Sequence, residues 1–436
     1  MSKGQSWGRY PAAAQMLEPC HWQDQVASVL QNITRSQVTS LAFGNGRSYG
    51  DSCMGTGQRM LGMRGLNRFV ELDRDKGTLT AEAGVTLGEI LRVCVPAGWF
   101  LSVTPGTQYA TLGGSIANDV HGKNHHSSGT FGNHLCSFGL LRHGQLLTCS
   151  PHENTELFNA TIGGLGLTGI ILWAKISLIP IRTSQIVGKV KRFNQLDEFF
   201  SLSAELDAQH KYSVAWIDCV AKNKKLGRGV YMVGDHAEYG ILELPRASRL
   251  NVPLTPPVSL VNRLSLKAFN LAYWHKHPAR MQATHTSYLP FFYPLDGIHN
   301  WNRIYGRKGF QQYQCVIPEA CASDALKDIL ASIAASGQGS FLAVLKRCGD
   351  IASPGLLSFP LPGTTLALDF PQSPNLERDL FQRLDTIVHE SGGRLYPAKD
   401  AHMSATHFKA AYPAWEQLEA LRDPILDSLF WQRVTQ

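Results

Sequence analysis

Gly44-Asn-Gly-Arg-Ser-Tyr-Gly-Asp51 follows a strand-like run from Val38 to Phe43, and the reading of this glycine-rich stretch decides the fold. Its glycines make helix costly and let backbone approach a ligand closely. Two similar blocks lie downstream. Pro105 to His134 holds Gly106, Gly113, Gly114, Gly122, Gly129 and Gly132 among Asn, His, Ser and Thr, which predicts an ordered loop system or a set of tight turns. Gly163-Gly-Leu-Gly-Leu-Thr-Gly169 contains a literal G-x-G-x-x-G at Gly164, Gly166 and Gly169. In a dinucleotide-binding βαβ turn such glycines leave a strand and open a helix, with an acid about 20 residues on. Here Thr155 to Ile162 reads as helix, Ile170 to Pro180 reads as strand, and no acid lies near position 190. The order is reversed, which excludes an NAD reading of this motif.

The chain around these blocks has 436 residues, 44% hydrophobic and 17% charged, with 40 glycines, 22 prolines and a formal charge of +7. This composition excludes collagen-like, disordered and coiled-coil classes and predicts two domains. No apolar run reaches the ~18 residues that cross a bilayer. The N-terminal MSKGQSWGRYPAAAQ has no apolar core of a secretory signal, so a cytoplasmic protein is expected. The nine cysteines are scattered and never spaced Cys-x-x-Cys, which predicts reduced, structural thiols. The modest charge, without a Lys/Arg run, suits an anionic small ligand or a membrane surface better than nucleic acid.

After Pro180 the texture becomes strand, helix, strand: Ser184 to Phe193 and Lys211 to Asp218 around a helix at Gln195 to Gln209, then Phe310 to Ile317 and Ser340 to Arg347 around Glu319 to Ser336. A third unit runs from Leu366 to Phe370 through a helix ended by Gly392-Gly393, before a strand at Arg394 to Pro397 and C-terminal helices. This predicts a second, α+β domain with a helix-backed sheet, beginning near Pro180-Ile-Arg182. Between Glu243 and Asp296 there is no acid, while Arg246, Arg249, Arg263, Lys267, Lys276 and Arg280 all fall there. The apolar, partly helical Val258 to Trp274 reads equally as an interfacial helix near anionic lipid or as a core helix with a solvated basic edge.

The run His121-Gly-Lys-Asn-His-His126, with His134 beyond, argues poorly for a metal, because Lys123 would sit beside the ion and no carboxylate or Cys completes a ligand set. Those imidazoles can instead bond a polar ligand or one another. The first two glycine blocks together suit a dinucleotide diphosphate cradled by backbone N–H groups, against the alternative of tight turns with no ligand.

Together these blocks, with Pro105-Gly-Thr, Gly113-Gly and Phe131-Gly-Asn-His134, resemble the FAD domain of vanillyl-alcohol-oxidase-type flavoproteins, the PCMH-type FAD-binding oxidoreductases. The likeness narrows to the decaprenylphosphoryl-ribose 2'-oxidase branch, the oxidative half of an epimerase. It extends through Leu226-Gly-Arg228, Pro294-Leu-Asp296, Trp301-Asn-Arg303, Gln312-Tyr-Gln314, Leu357-Ser-Phe-Pro360 and Arg394-Leu-Tyr-Pro-Ala-Lys-Asp400, and so covers most of the chain.

The resemblance implies an α+β, two-domain PCMH-type fold: an FAD domain of residues 1–185 completed by 394–436, and an antiparallel-sheet substrate domain, backed by helices, at 186–393. Relatives that bind FAD covalently carry histidine where this chain has Tyr49, so non-covalent FAD is implied. Carried over position by position, flavin contacts would come from Gly44, Asn45, Gly46, Arg47, Ser48, Tyr49, Gly50 and Asp51, then Gly106, Thr111, Leu112, Gly113 and Gly114. Asn118, Asp119, Val120, His121, Ile171 and Tyr396 complete them. The implied reaction is hydride transfer from a sugar carbinol carbon, and Lys399 is the candidate for taking the hydroxyl proton or holding an anion; otherwise it is a surface lysine paired with Asp400. Gln312 and Gln314 lie two apart on one strand and so share a face, suited to holding sugar hydroxyls or merely to meeting solvent. His121, Lys123, Trp216, Arg303 and Lys346 are further pocket candidates.

Phe292, Thr365 and Ala367 depart from the family pattern, where tyrosine, asparagine and cysteine are expected. The implied substrate is a polyprenylphosphoryl-ribose, with an NAD(P)H-dependent short-chain reductase as partner and peripheral contact with the inner face of the membrane. The alternatives are an aldonolactone or alditol oxidase acting on a soluble sugar, and a flavin-less carbohydrate-binding relative.

Overall fold

The computed structural model describes residues 2–13, 15–246 and 248–436. The long strand Ile170–Pro180 alternates between buried and half-buried positions and lies at the centre of a six-stranded sheet. It pairs antiparallel with Thr78–Glu82 on one side and Leu135–Arg142 on the other, and its end pairs with Trp99–Leu101. The Gly163–Gly169 turn leads into it from the helix Thr155–Thr161, and Gly163, Leu165 and Gly166 take φ of +71°, +57° and +77°. A smaller four-stranded sheet joins Ser2–Gly4, Gln15–Pro19, Arg59–Gly62 and Ala42–Phe43.

An eight-stranded antiparallel sheet forms from later residues, in the order Gln282–Ser287, Gln185–Phe193, Gly229–His236, Tyr212–Ile217, Ala343–Cys348, Gly363–Pro371, Phe310–Pro318 and Arg394–Leu395. Strand side chains alternate between faces, and this sheet uses both. Ala215, Ile217, Tyr313, Cys315, Leu345, Leu366 and Leu368 pack on the helices Leu196–Leu206, Ala322–Ser336 and Gln382–Glu390. Their neighbours Val214, Trp216, Gln312, Gln314, Val344, Lys346, Thr365 and Ala367 face a cavity.

The C-terminal helices Ala405–Ala411, Trp415–Leu421 and Leu429–Thr435 return to the N-terminal residues. Phe408, Phe430 and Trp431 share a core with Leu41, Phe43 and Met60, while Ser40 bridges Leu426 and Gly55 bridges Ser428.

Two local expectations change. The Pro105 to His134 block includes two short helices, Leu112–Ala117 and His125–Ser128. Thr111 caps the first by accepting from the Gly114 N–H, and Gly113 allows close packing, since a Cβ there would lie 3.0 Å from that of Ala83. The run Val38 to Phe43 contracts to a strand at Ala42–Phe43, with Val38 itself 84% exposed.

Candidate active site

One cavity of about 900 Å³ lies between the Gly44 to Tyr49 loop, the 104–123 block and the polar face of the eight-stranded sheet, near the upper end of ligand-pocket sizes. The loop is held open from behind. Asn45 Nδ2 donates to the Tyr109 carbonyl at 2.8 Å, and the Arg47 guanidinium lies between the rings of Trp7 and Tyr109, 4.1 and 4.9 Å from their centroids. The Tyr49 N–H donates to the Ala398 carbonyl at 3.0 Å, which ties this loop to the turn bearing Lys399.

Most sequence-selected flavin positions line the cavity: Gly44 to Tyr49, Gly106, Thr111, Gly113, Gly114, Asn118, Val120, His121, Ile171 and Tyr396. Four do not. A Cβ on Gly50 would lie 1.7 Å from the Asp400 carbonyl oxygen, so this residue permits a backbone crossing. Asp51 binds the Arg433 guanidinium, with oxygen to nitrogen distances of 2.9 and 3.0 Å. Leu112 is a core side chain. Asp119 accepts from the Gly132 N–H and from Ser353 and Ser358, joining the 119–132 block to a distant loop.

On the sheet side, Gln312, Gln314, Lys346 and Trp216 enter the same space as His121, Lys123 and Lys399. Arg303 does not. It follows Trp301 on the turn Trp301–Tyr305 but points away, donating to the Val252 and Pro253 carbonyls at 3.0 and 2.6 Å.

The electrostatics are dominated by cations with few partners. The Lys399 Nζ lies 3.7 Å from the centroid of the Tyr49 ring. Burial lowers its pKa to about 7, with Asp369 opposing the shift and Lys346 adding to it. Burial, reinforced by Lys346, likewise brings Lys123 to about 7; its ammonium donates to the Phe291 carbonyl. Burial lowers the pKa of Lys346, which among the described residues reaches only the Gly122 carbonyl, at 3.5 Å. Burial first, then Lys346, His125 and Lys399, hold His121 well below its usual value, so its ring is neutral near pH 7. Gln314 Nε2 lies 3.2 Å from His121 Nε2, which as an acceptor assigns the imidazole proton to Nδ1, an atom with no partner among the described residues. The other histidines of the run bond backbone: His125 Nδ1 accepts from the Gly349 N–H, and His134 Nε2 lies 2.8 Å from the Ser128 carbonyl.

Asp369 escapes the sequence reading. Its Oδ1 accepts from Gln312 Nε2 at 2.6 Å, its Oδ2 has no partner among the described residues, and burial raises its pKa to about 7. The signal was the strand alternation itself, because Asp369 follows Thr365 and Ala367 at spacing two on the face they share. The family departures also meet this space: Phe292, Thr365 and Ala367 all line it.

The chemistry of this lining fits a flavin dinucleotide. One wall is glycine backbone, where a Cβ on Gly106 would meet nothing within 4 Å; the other offers an unpartnered imidazole N–H, two carboxamides and an amine. An arrangement of this kind can hold a polyol and accept a proton.

Comparisons with known proteins point the same way. Residues 15–150 match the FAD binding domain family. The chain is 35% identical, over 96% of its length and 94% of the relative's, to decaprenylphosphoryl-beta-D-ribose oxidase of Mycolicibacterium smegmatis. It is 33% identical to an uncharacterized protein of Streptomyces coelicolor, over 78% of this chain and 95% of that one. Likeness to L-gulonolactone oxidase of Bos taurus is 29% and spans 41% of this chain and 40% of that enzyme.

Proposed function

The chain belongs to the family of decaprenylphosphoryl-beta-D-ribose oxidase, FAD-dependent oxidoreductases with a PCMH-type FAD-binding domain, and from that premise we propose that it oxidises the 2'-hydroxyl of a polyprenylphosphoryl-beta-D-ribofuranose to the 2'-keto sugar. The observation that carries this reading is the convergence of Gln312, Gln314, His121 and Lys399 on one cavity opposite the Gly44 to Tyr49 loop.

When bound there, FAD supplies the acceptor for the hydride that leaves C2'. Gln312 donates to Asp369, so its Oε1 is available to accept from a sugar hydroxyl. Gln314 is oriented by His121 and Thr365. Lys399, with a pKa of about 7, takes the 2'-hydroxyl proton at Nζ in its neutral form. Lys123 and Lys346 supply positive charge for the phosphodiester beside C2'.

FAD is held non-covalently, because position 49 offers a phenol, whose ring lies against Lys399 Nζ, and no imidazole stands there. The FAD unit comprises residues 1–185 and 394–436 around a substrate unit at 186–393, a division supported by the Ser40 to Leu426 and Gly55 to Ser428 bridges. The Arg394–Leu395 strand marks the junction, since it hydrogen-bonds into the eight-stranded sheet. The keto product calls for a reductase of the NAD(P)H-dependent short-chain class as partner. Among the described residues no helix is long and apolar enough to cross a membrane, and a peripheral place at the inner face suits a lipid-linked substrate.

A visible spectrum followed by acid precipitation and anaerobic titration tests the reading. The expected result is a flavin spectrum, flavin released to the supernatant, and bleaching by polyprenylphosphoryl-ribose. Bleaching by free alditols but not by the lipid-linked ribose would replace it with a soluble-sugar oxidase.

A further inference from the structure

The helix Arg263–Lys276 has two unlike faces. Its inner side is anchored: Leu266 and Asn270 are buried, Asn270 Nδ2 donates to Asp218 Oδ1 at 2.8 Å, and Tyr273 packs 4.7 Å from the Trp216 ring. On the outer side Leu264 and Leu271, seven residues apart and therefore on one stripe, are 79% and 47% exposed, with exposed Lys267 between them. The same texture continues along the preceding chain, where Leu250, Leu254, Val258 and Leu260 are 65%, 78%, 69% and 54% exposed. So many exposed large apolar side chains in one segment is unusual for a surface facing only water.

The charge of the segment is one-sided. Arg246, Arg249, Arg263, Lys267, Lys276 and Arg280 are all exposed, and no acid lies between them. Of the two bounding acids, Glu243 is exposed, while Asp296 is half-buried and turned inward, its carboxylate accepting from Thr107 Oγ1 at 2.9 Å and the Gln108 N–H at 2.7 Å.

The cavity also reaches this surface. Phe269 and Ile298 line it while remaining 42% and 43% exposed, and Asn251 lines it and is exposed. Residues that are both lining and exposed mark a mouth. Leu250–Asn251 pairs with Ile298–His299 there, so the apolar run and the mouth are joined by backbone hydrogen bonds.

We propose that the described residues of the acid-free segment from Leu244 to Leu295 form the face by which this protein rests on an anionic bilayer, with the cavity mouth opening against the lipid. Exposed leucines enter the headgroup boundary and the cations meet lipid phosphates. A lipid-linked substrate then passes its sugar into the cavity while its chain stays in the membrane. That last consequence rests on the reaction proposed above; the docking stands on the surface alone.

The purified flavoprotein is sedimented with vesicles of phosphatidylcholine, alone or mixed with phosphatidylglycerol. Binding to the mixed vesicles, released by salt, is expected. The variants Arg263→Gln/Lys267→Gln and Leu264→Ser/Leu271→Ser touch neither the cavity nor the core; the first weakens partition roughly thirtyfold, at about fivefold per cation. Both keep the wild-type flavin spectrum and reduction by a short-chain, water-soluble phosphoryl-ribose. Wild type that ignores phosphatidylglycerol, or variants that bind it equally, overturn the proposal. Self-association of wild type without vesicles, lost in the variants, also overturns it by assigning the face to a second copy. If no form reduces its flavin with the sugar, the reaction reading falls, and the vesicle result still decides the docking.

Discussion

Lys399 works against two charges of opposite effect, the Asp369 carboxylate that favours its ammonium and the Lys346 ammonium that disfavours it. With a pKa of about 7, its proton-accepting form declines as pH falls through neutrality, so the rate of substrate-driven flavin reduction should fall there too. Asp369→Asn removes the charge that favours the ammonium while leaving an oxygen for Gln312. The acidic limb of that pH profile is then expected to move to lower pH, and an unmoved limb would separate Asp369 from Lys399. Lys399→Met should keep FAD and lose about 10²-fold or more in the reduction rate, measured by stopped-flow absorbance. The placement of these side chains was partly legible. Gln312 and Gln314 were readable because a strand's period is two, and the same rule reaches Asp369. Arg303 was a pocket candidate through the Trp301-Asn-Arg303 likeness, and it lies off the cavity because residues two apart on a tight turn need not point the same way. The Leu112 and Asp119 side chains likewise lie off the cavity, since a continuous run of residues cannot turn every side chain toward one ligand.

At the scale of elements, the Gly44 to Asp51 loop and the Tyr396 to Asp400 turn are pressed together by a residue distant from both in sequence. Arg433 Nη2 lies 2.9 Å from Asp51 Oδ1 and 2.8 Å from Asp400 Oδ2, with both carboxylates almost wholly buried. His402 lies 3.2 Å from Asp400 on the far side. Arg433→Met strands two buried carboxylates and should cost about 3 kcal/mol or more. Thermal unfolding followed by flavin fluorescence should show lower Tm and earlier FAD release than in wild type. Gly50→Ala should have a similar effect by a different route, forcing the loop off the Asp400 carbonyl at a cost of about 1–3 kcal/mol, read by the same melt. Neither contact was visible in the chain. Gly50 and Asp51 stand out as part of a glycine block, but nothing local indicates that their partners lie hundreds of residues away.

Across the whole molecule, the core ignores chain order. Phe408, Phe430 and Trp431 fill the same apolar volume as Leu41, Phe43 and Met60, and that volume runs on under the helices of the eight-stranded sheet. Deleting residues 401–436 should therefore give no soluble flavoprotein, checked by expression and absorbance, because it exposes the interior of two sheets at once. The helix-backed sheet was legible from periodicity, whereas the return of the C-terminus had to come from the family likeness. That sheet divides its labour residue by residue: one parity of each strand packs on helices, and the other looks into the cavity. An inserted residue in Phe310–Pro318 would exchange the two sets, but a substitution at Gln314, Thr365 or Ala367 leaves the packing set untouched. Selection can thus retune the ligand at alternate positions without renegotiating the scaffold, and a lineage can wander among sugars while keeping one architecture.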